Sequence, residues 1–187
     1  MSYPLPLDNR FMNPSGTESE LNQFLENALN SHFKTLYLLP CFIRPAKEFL
    51  FSSEIIISSV VGYPLGANTL ETKVFETLNA VLNGADEIEL VLNMSSILSH
   101  RYDLVKEEID QVLKACQGQT LGLLIRLEWM SKAEILELAQ LLSISEVRFV
   151  RSANTVDESI SERIQWLKEA IKNRNIEVKS ALNSTNE

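Results

Sequence analysis

The sequence predicts an α/β fold, a (β/α) barrel of parallel strands that stops short of completion after its seventh strand. Three observations predict it. Short runs rich in branched and leucine side chains are apolar along most of their length, the pattern of strands covered on both faces. Each run is followed by a stretch with helical spacing of its apolar residues. The alternation continues through all 187 residues without a linker, a composition shift or an internal repeat. Alternation by itself also suits a doubly wound sheet, and its strictness is what favours the barrel.

The elements follow in order. The first strand is expected at residues 5–8. Thr17, with Glu20 three residues on, forms a capping-box pattern that opens a helix whose Leu21, Phe24, Leu25, Ala28 and Leu29 share one face. The second strand is read at 35–39, a short helix at 45–51 and the third strand at 54–61. Asn68 and Glu71 open a helix that carries Val74, Leu78, Val81 and Leu82 and stops at Gly84, a residue favoured just past a helix end. The fourth strand, at 87–92, precedes a helix marked by Leu104, Val105, Ile109, Val112 and Leu113 and closed before Gly118. The fifth strand is placed at 121–127, and Ser131 with Glu134 opens the helix of Ile135, Leu138, Ala139 and Leu142. The sixth strand is placed at 147–150. The last helix runs from Thr155, with Glu158, through Ile160, Ile164, Leu167 and Ile171 to a seventh strand at 176–179. One domain over 1–187 accommodates them all.

Composition narrows the function. With 17 Lys and Arg against 25 Asp and Glu, the net charge is −8, so the chain lacks the basic footprint that nucleic acid or an anionic membrane surface requires. Two cysteines, Cys41 and Cys116, exclude a disulfide framework and a four-cysteine zinc site. The opening residues show no basic and apolar secretory pattern, and no apolar run is long enough to span a bilayer, which implies a cytoplasmic location. His32 and His100 have no ligand partners at metal spacing, Trp129 and Trp166 read as packing residues, and neither cysteine sits in a nucleophile pattern. No nucleotide-binding glycine motif is present. Neither a cofactor nor a metal is expected.

At Val60-Val61-Gly62-Tyr63-Pro64-Leu65-Gly66-Ala67, through Thr72-Lys73, and again at Gly84-Ala85-Asp86-Glu87-Ile88-Glu89, the sequence resembles the deoxyribose-phosphate aldolase family. The resemblance extends to Leu7-Asp8, Asn13-Pro14 and Thr17-Glu18, to Pro40, Phe42-Ile43 and Ala46-Lys47, and to Asp103-Leu104-Val105 and Asp110. It implies a TIM barrel and a class I aldolase that splits 2-deoxyribose 5-phosphate through a lysine Schiff base. The family places that lysine at the end of the sixth strand, where this chain reads Phe149-Val150-Arg151-Ser152-Ala153-Asn154. Arg151 stands at the lysine position, and a guanidinium stays protonated and cannot form the carbinolamine.

The resemblance also maps Glu89 onto the family's proton-relay Asp, one methylene longer here; the alternative is that Glu89 is the ion partner of a nearby arginine. Lys179 matches the family's second lysine and reads as a retained relay residue, a spare nucleophile or an ordinary solvated lysine. Tyr37 replaces a cysteine near the substrate, Glu128-Trp129 replaces a Glu-Thr pair at the end of the fifth strand, and Asp8 is followed by Asn9-Arg10 in place of the usual polar pair. The 62–66 turn is kept, either to shape a tight loop or to touch a ligand. The Gly-Gly turn that follows the seventh strand in the family, and the eighth strand that helps hold the phosphate, have no counterpart after Lys179.

Two functions follow. One is a family member without aldolase activity that serves in binding or assembly; the other is an active lyase that uses Lys179 on a small aldehyde or a substrate like 2-deoxyribose 5-phosphate. Strand alternation puts Glu87 with Glu89 on one face of the fourth strand and Arg126 with Glu128 on one face of the fifth. The resemblance implies that Glu89, Arg151 and Lys179 point inward, so Arg151 is expected to pair with Glu89 and plug the pocket. The first and seventh strands are expected to leave an open edge, to be covered by a second copy in a homodimer or by a protein partner.

Overall fold

In the computed structural model, the described residues are 8–153, 158–172 and 174–179. Among them, seven strands form one parallel sheet: β1 (Asp8–Phe11), β2 (Thr35–Leu38), β3 (Ile56–Val61), β4 (Glu87–Val91), β5 (Thr120–Ile125), β6 (Phe149–Ser152) and β7 (Glu177–Lys179). Each strand pairs in parallel with its sequence neighbour, from β1 to β7 without a reversal. A doubly wound sheet must reverse its order at a switch point, so this monotonic order decides for the curled barrel wall. The helices are α1 (Glu18–Leu29), α2 (Ile43–Phe49), α3 (Leu70–Leu82), α4 (Met94–Leu98), α5 (Tyr102–Ala115), α6 (Lys132–Leu142) and α7 (Glu158–Ile171). No helix among the described residues is long and apolar enough to cross a membrane.

Both capping boxes form: Thr17 with Glu20 opens α1, and Ser131 with Glu134 opens α6. Several boundaries differ from the sequence reading: the helix read at 45–51 runs from Ile43 to Phe49, the third strand begins at Ile56 rather than at residue 54, and, the first strand apart, other strand ends move by one or two residues. The first strand runs from Asp8 to Phe11, while Leu5, Leu7 and the residues between lie outside the described ones. The shift gives Phe11 an aromatic cluster with Phe24 and Phe42, at centroid distances of 5.5 and 5.0 Å. The fifth strand stops at Ile125, and Arg126 to Trp129 turn into a single 3₁₀ turn. The sixth begins at Phe149 rather than Val147. Helix α3 is capped by Thr69, and it is rotated: Lys73, Thr77 and Ala80 are its buried residues, whereas Leu82 is exposed. Helix α4, a single turn capped by Asn93, was too short to show a period. Thr155, read as the start of the last helix, lies outside the described residues.

One face of the sheet packs against the helices through Leu36, Leu38, Ile57, Val61, Ile88, Leu90, Leu123 and Val150. The alternate positions, Tyr37, Ser58, Glu87, Glu89, Gly122, Phe149 and Arg151, point the other way, into the barrel interior. Register brings them together: Val60 pairs with Glu89, Glu89 with Gly122, and Gly122 with Phe149. A Cβ on Gly122 would overlap the Phe149 ring, so the missing side chain is what admits the ring at this level.

Candidate functional site

The interior is polar and charged toward the carboxyl ends of the strands. Arg151 on β6 donates from Nε to Glu89 Oε1 on β4 at 2.7 Å, and the two side chains are only 4 and 3% exposed. The guanidinium lies 4.4 Å over the Tyr37 ring, so the ring faces one side of the cation while Glu89 neutralises its edge. Lys179 on β7 donates from Nζ to the Tyr37 hydroxyl at 3.2 Å and stands 4.0 Å from the centre of the Phe149 ring. Glu87 is buried one layer below Glu89, and its Oε1 has no partner among the described residues.

Burial pushes the Glu87 carboxyl above the ordinary carboxylate range, with the charge of Lys179 as the main opposing influence. Burial pushes Glu89 in the same direction, and Arg151 opposes it. Two acids, two cations and a tyrosine therefore share one desolvated volume.

Above this cluster, a cavity of about 90 Å³ opens at the mouth. Arg10, Tyr63, Val60, Leu124, Arg126 and Ser152 line it together with Glu89 and Arg151. Arg126 makes one contact with Glu128, at 3.4 Å, and its guanidinium stacks 4.8 Å over the half-exposed Trp129.

The 62–66 turn that carries Tyr63 is fixed from below. Lys73, fully buried on α3, donates to the carbonyls of Gly66 at 2.7 Å and Val91 at 2.9 Å and pairs with Glu108 of α5. Glu108 also accepts the Asn93 N–H at 3.3 Å, and Glu76 accepts the Gly62 N–H at 2.8 Å. Gly62 and Gly66 sit at φ of +70° and +69°, a region open to glycine. One buried ammonium thus ties a mouth loop to the end of β4 and the middle of α5.

The sequence-derived residues Glu89, Arg151 and Lys179 all reach the interior, and Arg151 pairs with Glu89 as expected from the cost of burying a lone arginine. Lys179 does not line the mouth cavity; Tyr37 and Arg151 do. Glu128, placed at the end of the fifth strand by the sequence reading, belongs to the turn after it, and Arg126 takes the cavity wall. Trp129 covers Arg126 at the surface instead of packing in the core. Side-chain contacts of Asp8 fall outside the described residues. His32 and His100 are exposed, with His100 3.3 Å from Glu137, and no group of three or more potential metal ligands occurs among the described residues. Cys41 is exposed, and burial raises the Cys116 thiol to about 12.

Sequence reasoning missed Arg10 as a wall residue because it ended the first strand at Asp8. It missed Lys73 and Glu108 because charged residues on a helix read as solvated. A signal existed for Lys73: Lys73, Thr77 and Ala80 stand at spacings of four and three, which puts them on one helical face.

Comparison with known proteins follows the same lines. The family model of the DeoC/LacD family aldolase matches residues 3–181. Deoxyribose-phosphate aldolase 2 of Staphylococcus aureus strain N315 is 31% identical over 177 residues, which cover 94% of this chain and 80% of that one. The deoxyribose-phosphate aldolase of Metamycoplasma hominis is 32% identical over 165 residues, 87% of this chain and 76% of that one. Among solved structures, the tetrameric deoxyribose phosphate aldolase from Aeropyrum pernix superposes with a TM-score of 0.82 at 19% identity, over 94% of this chain and 75% of that one. An aldolase designated QR15 gives a TM-score of 0.82 at 22% identity, covering 91% of this chain and 77% of that one. These two structures speak to the fold.

Proposed function

Since the chain belongs to the DeoC/LacD aldolase family, we propose that it is a divergent deoxyribose-phosphate aldolase-like protein without Schiff-base aldolase activity, acting in binding or assembly in the cytoplasm as one domain. The observation that carries this reading is the Arg151–Glu89 pair. Where the resemblance puts the nucleophilic lysine, a guanidinium is locked by a buried carboxylate at 2.7 Å. It cannot lose a proton to become a nucleophile, and Glu89, engaged by it, is not free to relay protons.

A second reading has one observation in its favour. Lys179 lies beside the Tyr37 hydroxyl and exerts its charge on Glu87, an amine with an acid and a phenol near it. In that reading the protein is a lyase, with Lys179 as the Schiff-base former and a small aldehyde or 2-deoxyribose 5-phosphate-like substrate. Incubation with acetaldehyde and sodium borohydride, followed by intact mass and peptide mapping, separates the two. The first reading expects no reduced adduct. An adduct on Lys179 that disappears in Lys179→Ala would overturn it.

Self-association belongs to the proposal. The described sheet ends at β1 and β7, and strand ends left in this way present N–H and C=O groups for pairing with another copy. The Aeropyrum pernix relative of the same fold is a tetramer. Light scattering behind size exclusion is expected to give at least twice the 21.2 kDa chain mass at micromolar concentration. A single 21.2 kDa species would remove assembly from the proposal.

A further inference from the structure

We propose that the mouth cavity is a binding site for a short-chain carboxylate, held between Arg10 and Arg126. The inference rests on the preceding reading of the chain as a protein that acts in binding, and it names a site and the chemistry of its ligand. Three guanidiniums, those of Arg10, Arg126 and Arg151, line one cavity, and Glu89 is its only acidic wall residue among the described residues. Glu89 is committed to Arg151. Arg10 is half-buried on β1, and no side-chain partner of its guanidinium occurs among the described residues. Arg126 is held by a single 3.4 Å contact to Glu128, whose other oxygen is buried without a partner, so most of the five N–H donors of this guanidinium remain available. Ser152, buried and also on the wall, has a hydroxyl with no partner among the described residues. An uncompensated guanidinium in a partly desolvated cavity draws an oxyanion, and its planar fork matches a carboxylate in two parallel hydrogen bonds.

The cavity's size and walls choose the ligand. At on the order of 10–15 Å³ per enclosed water on the same measure, a cavity of about 90 Å³ has room for a carboxylate on a short carbon chain. Val60, Pro64 and Leu124 supply apolar wall beside the arginines, which suits a hydrocarbon stub better than a fully hydrated inorganic anion. The two arginines come from strand ends four places apart in the sheet order, so they close on a ligand from two sides.

Calorimetric titration of the intact protein with acetate, propionate, pyruvate and inorganic phosphate tests this. Saturable 1:1 binding of at least one carboxylate is expected, weakened at least tenfold in Arg10→Gln and in Arg126→Gln. It should be unchanged in Arg148→Gln, which changes an arginine lining a separate groove. Phenylglyoxal labelling of Arg10 in the unmodified protein, read by peptide mass, should be slowed by the same carboxylate, a readout that needs no variant to fold. Phosphate binding without carboxylate binding, no saturable heat with any probe, or full affinity in Arg10→Gln would each overturn the proposal. Schiff-base trapping is read by mass and carboxylate binding by heat. A borohydride adduct with carboxylate binding intact would therefore sink only the preceding reading, and absent adduct with absent binding would sink only this one.

Discussion

Replacing Arg151 by Met removes the guanidinium and keeps an unbranched side chain in the space beside Tyr37. At 2.7 Å and an effective dielectric of about 20, the Arg151–Glu89 attraction is roughly 6 kcal/mol. The desolvation of two ions, each costing several kcal/mol, offsets most of that, so the intact pair contributes little net stability. Breaking it is another matter: the single variant strands a carboxylate that is 3% exposed, which costs about 3–5 kcal/mol. For a chain of this length the loss corresponds to a melting temperature lower by roughly 6–20 °C. Replacing both residues, Arg151→Met with Glu89→Leu, should return most of that stability and leave a coupling energy of about 2–4 kcal/mol in the double-mutant cycle. The pH dependence has a definite sign. Without Arg151, burial and the charge of Glu87 act on Glu89 against Lys179 only, which raises its folded pKa further above the unfolded value. The stability tied to its protonated form is then complete below the unfolded pKa and is lost as pH rises through the folded one. The deficit of Arg151→Met should therefore be larger at pH 8 than at pH 5. Urea melts followed by circular dichroism at both pH values measure it. A deficit under about 1 kcal/mol, or one identical at the two pH values, would refute the claim that a buried, mutually dependent ion pair fills this interior.

Three further outcomes are expected. Lys73→Met should destabilise by about 3–5 kcal/mol, since it leaves Glu108 buried without its cation, and should increase amide exchange at Gly62 and Gly66; unchanged exchange there would show that the ammonium does not hold the turn. Gly122→Ala should cost about 1–3 kcal/mol by driving a methyl into the Phe149 ring, and Phe149→Leu should recover part of it; an unchanged denaturant midpoint would mean that the ring moves freely. Glu87→Gln should stabilise the protein by roughly 1–2 kcal/mol near pH 7, because the raised folded pKa makes the ionised acid unfavourable there. The gain should vanish below pH 4.5, where the acid is protonated in both states, and a variant less stable at both pH values would contradict it.

The wall of the fold was legible because its signals are local. Apolar runs at strand length, capping boxes at Thr17 and Ser131 and the glycine after α3 each act within a few residues, and all agree with one another. Boundaries were less legible where tertiary contacts decide them. Phe11 is drawn into the cluster with Phe24 and Phe42, which moves β1 toward later residues and turns Arg10 to the interior. The face of α3 was misread because its buried stripe contains an ion pair, and hydrophobic periodicity cannot count a lysine whose partner lies 35 residues away. Within the site, the inward positions implied by the resemblance and the cost of burying a lone arginine sufficed to foresee that Glu89 and Arg151 meet. They could not reveal that Arg126 belongs to a cavity wall, because that depends on where β5 stops.

The interior residues constrain one another more tightly than the family resemblance alone suggests. An arginine at 151 brings a permanent charge into a volume that is 96% screened from solvent at that side chain, so a carboxylate must be present. Glu89 meets it at 2.7 Å, and the extra methylene that would crowd a substrate site is taken up in reaching the guanidinium. The aromatic faces follow from the same demand. Tyr37 lies under Arg151, and Phe149, admitted only because position 122 is glycine, lies under Lys179, so each cation faces a ring as well as an oxygen acceptor. On the proposed reading, Arg151→Lys is therefore not expected to create a Schiff-base site by itself. The shorter ammonium would stay paired with Glu89 between the same rings, held in its charged form by the carboxylate, and the amine has to be neutral to attack a carbonyl. Residues 37, 89, 122, 149 and 151 are in mutual contact, so a change at one of them is expected to be felt at the others.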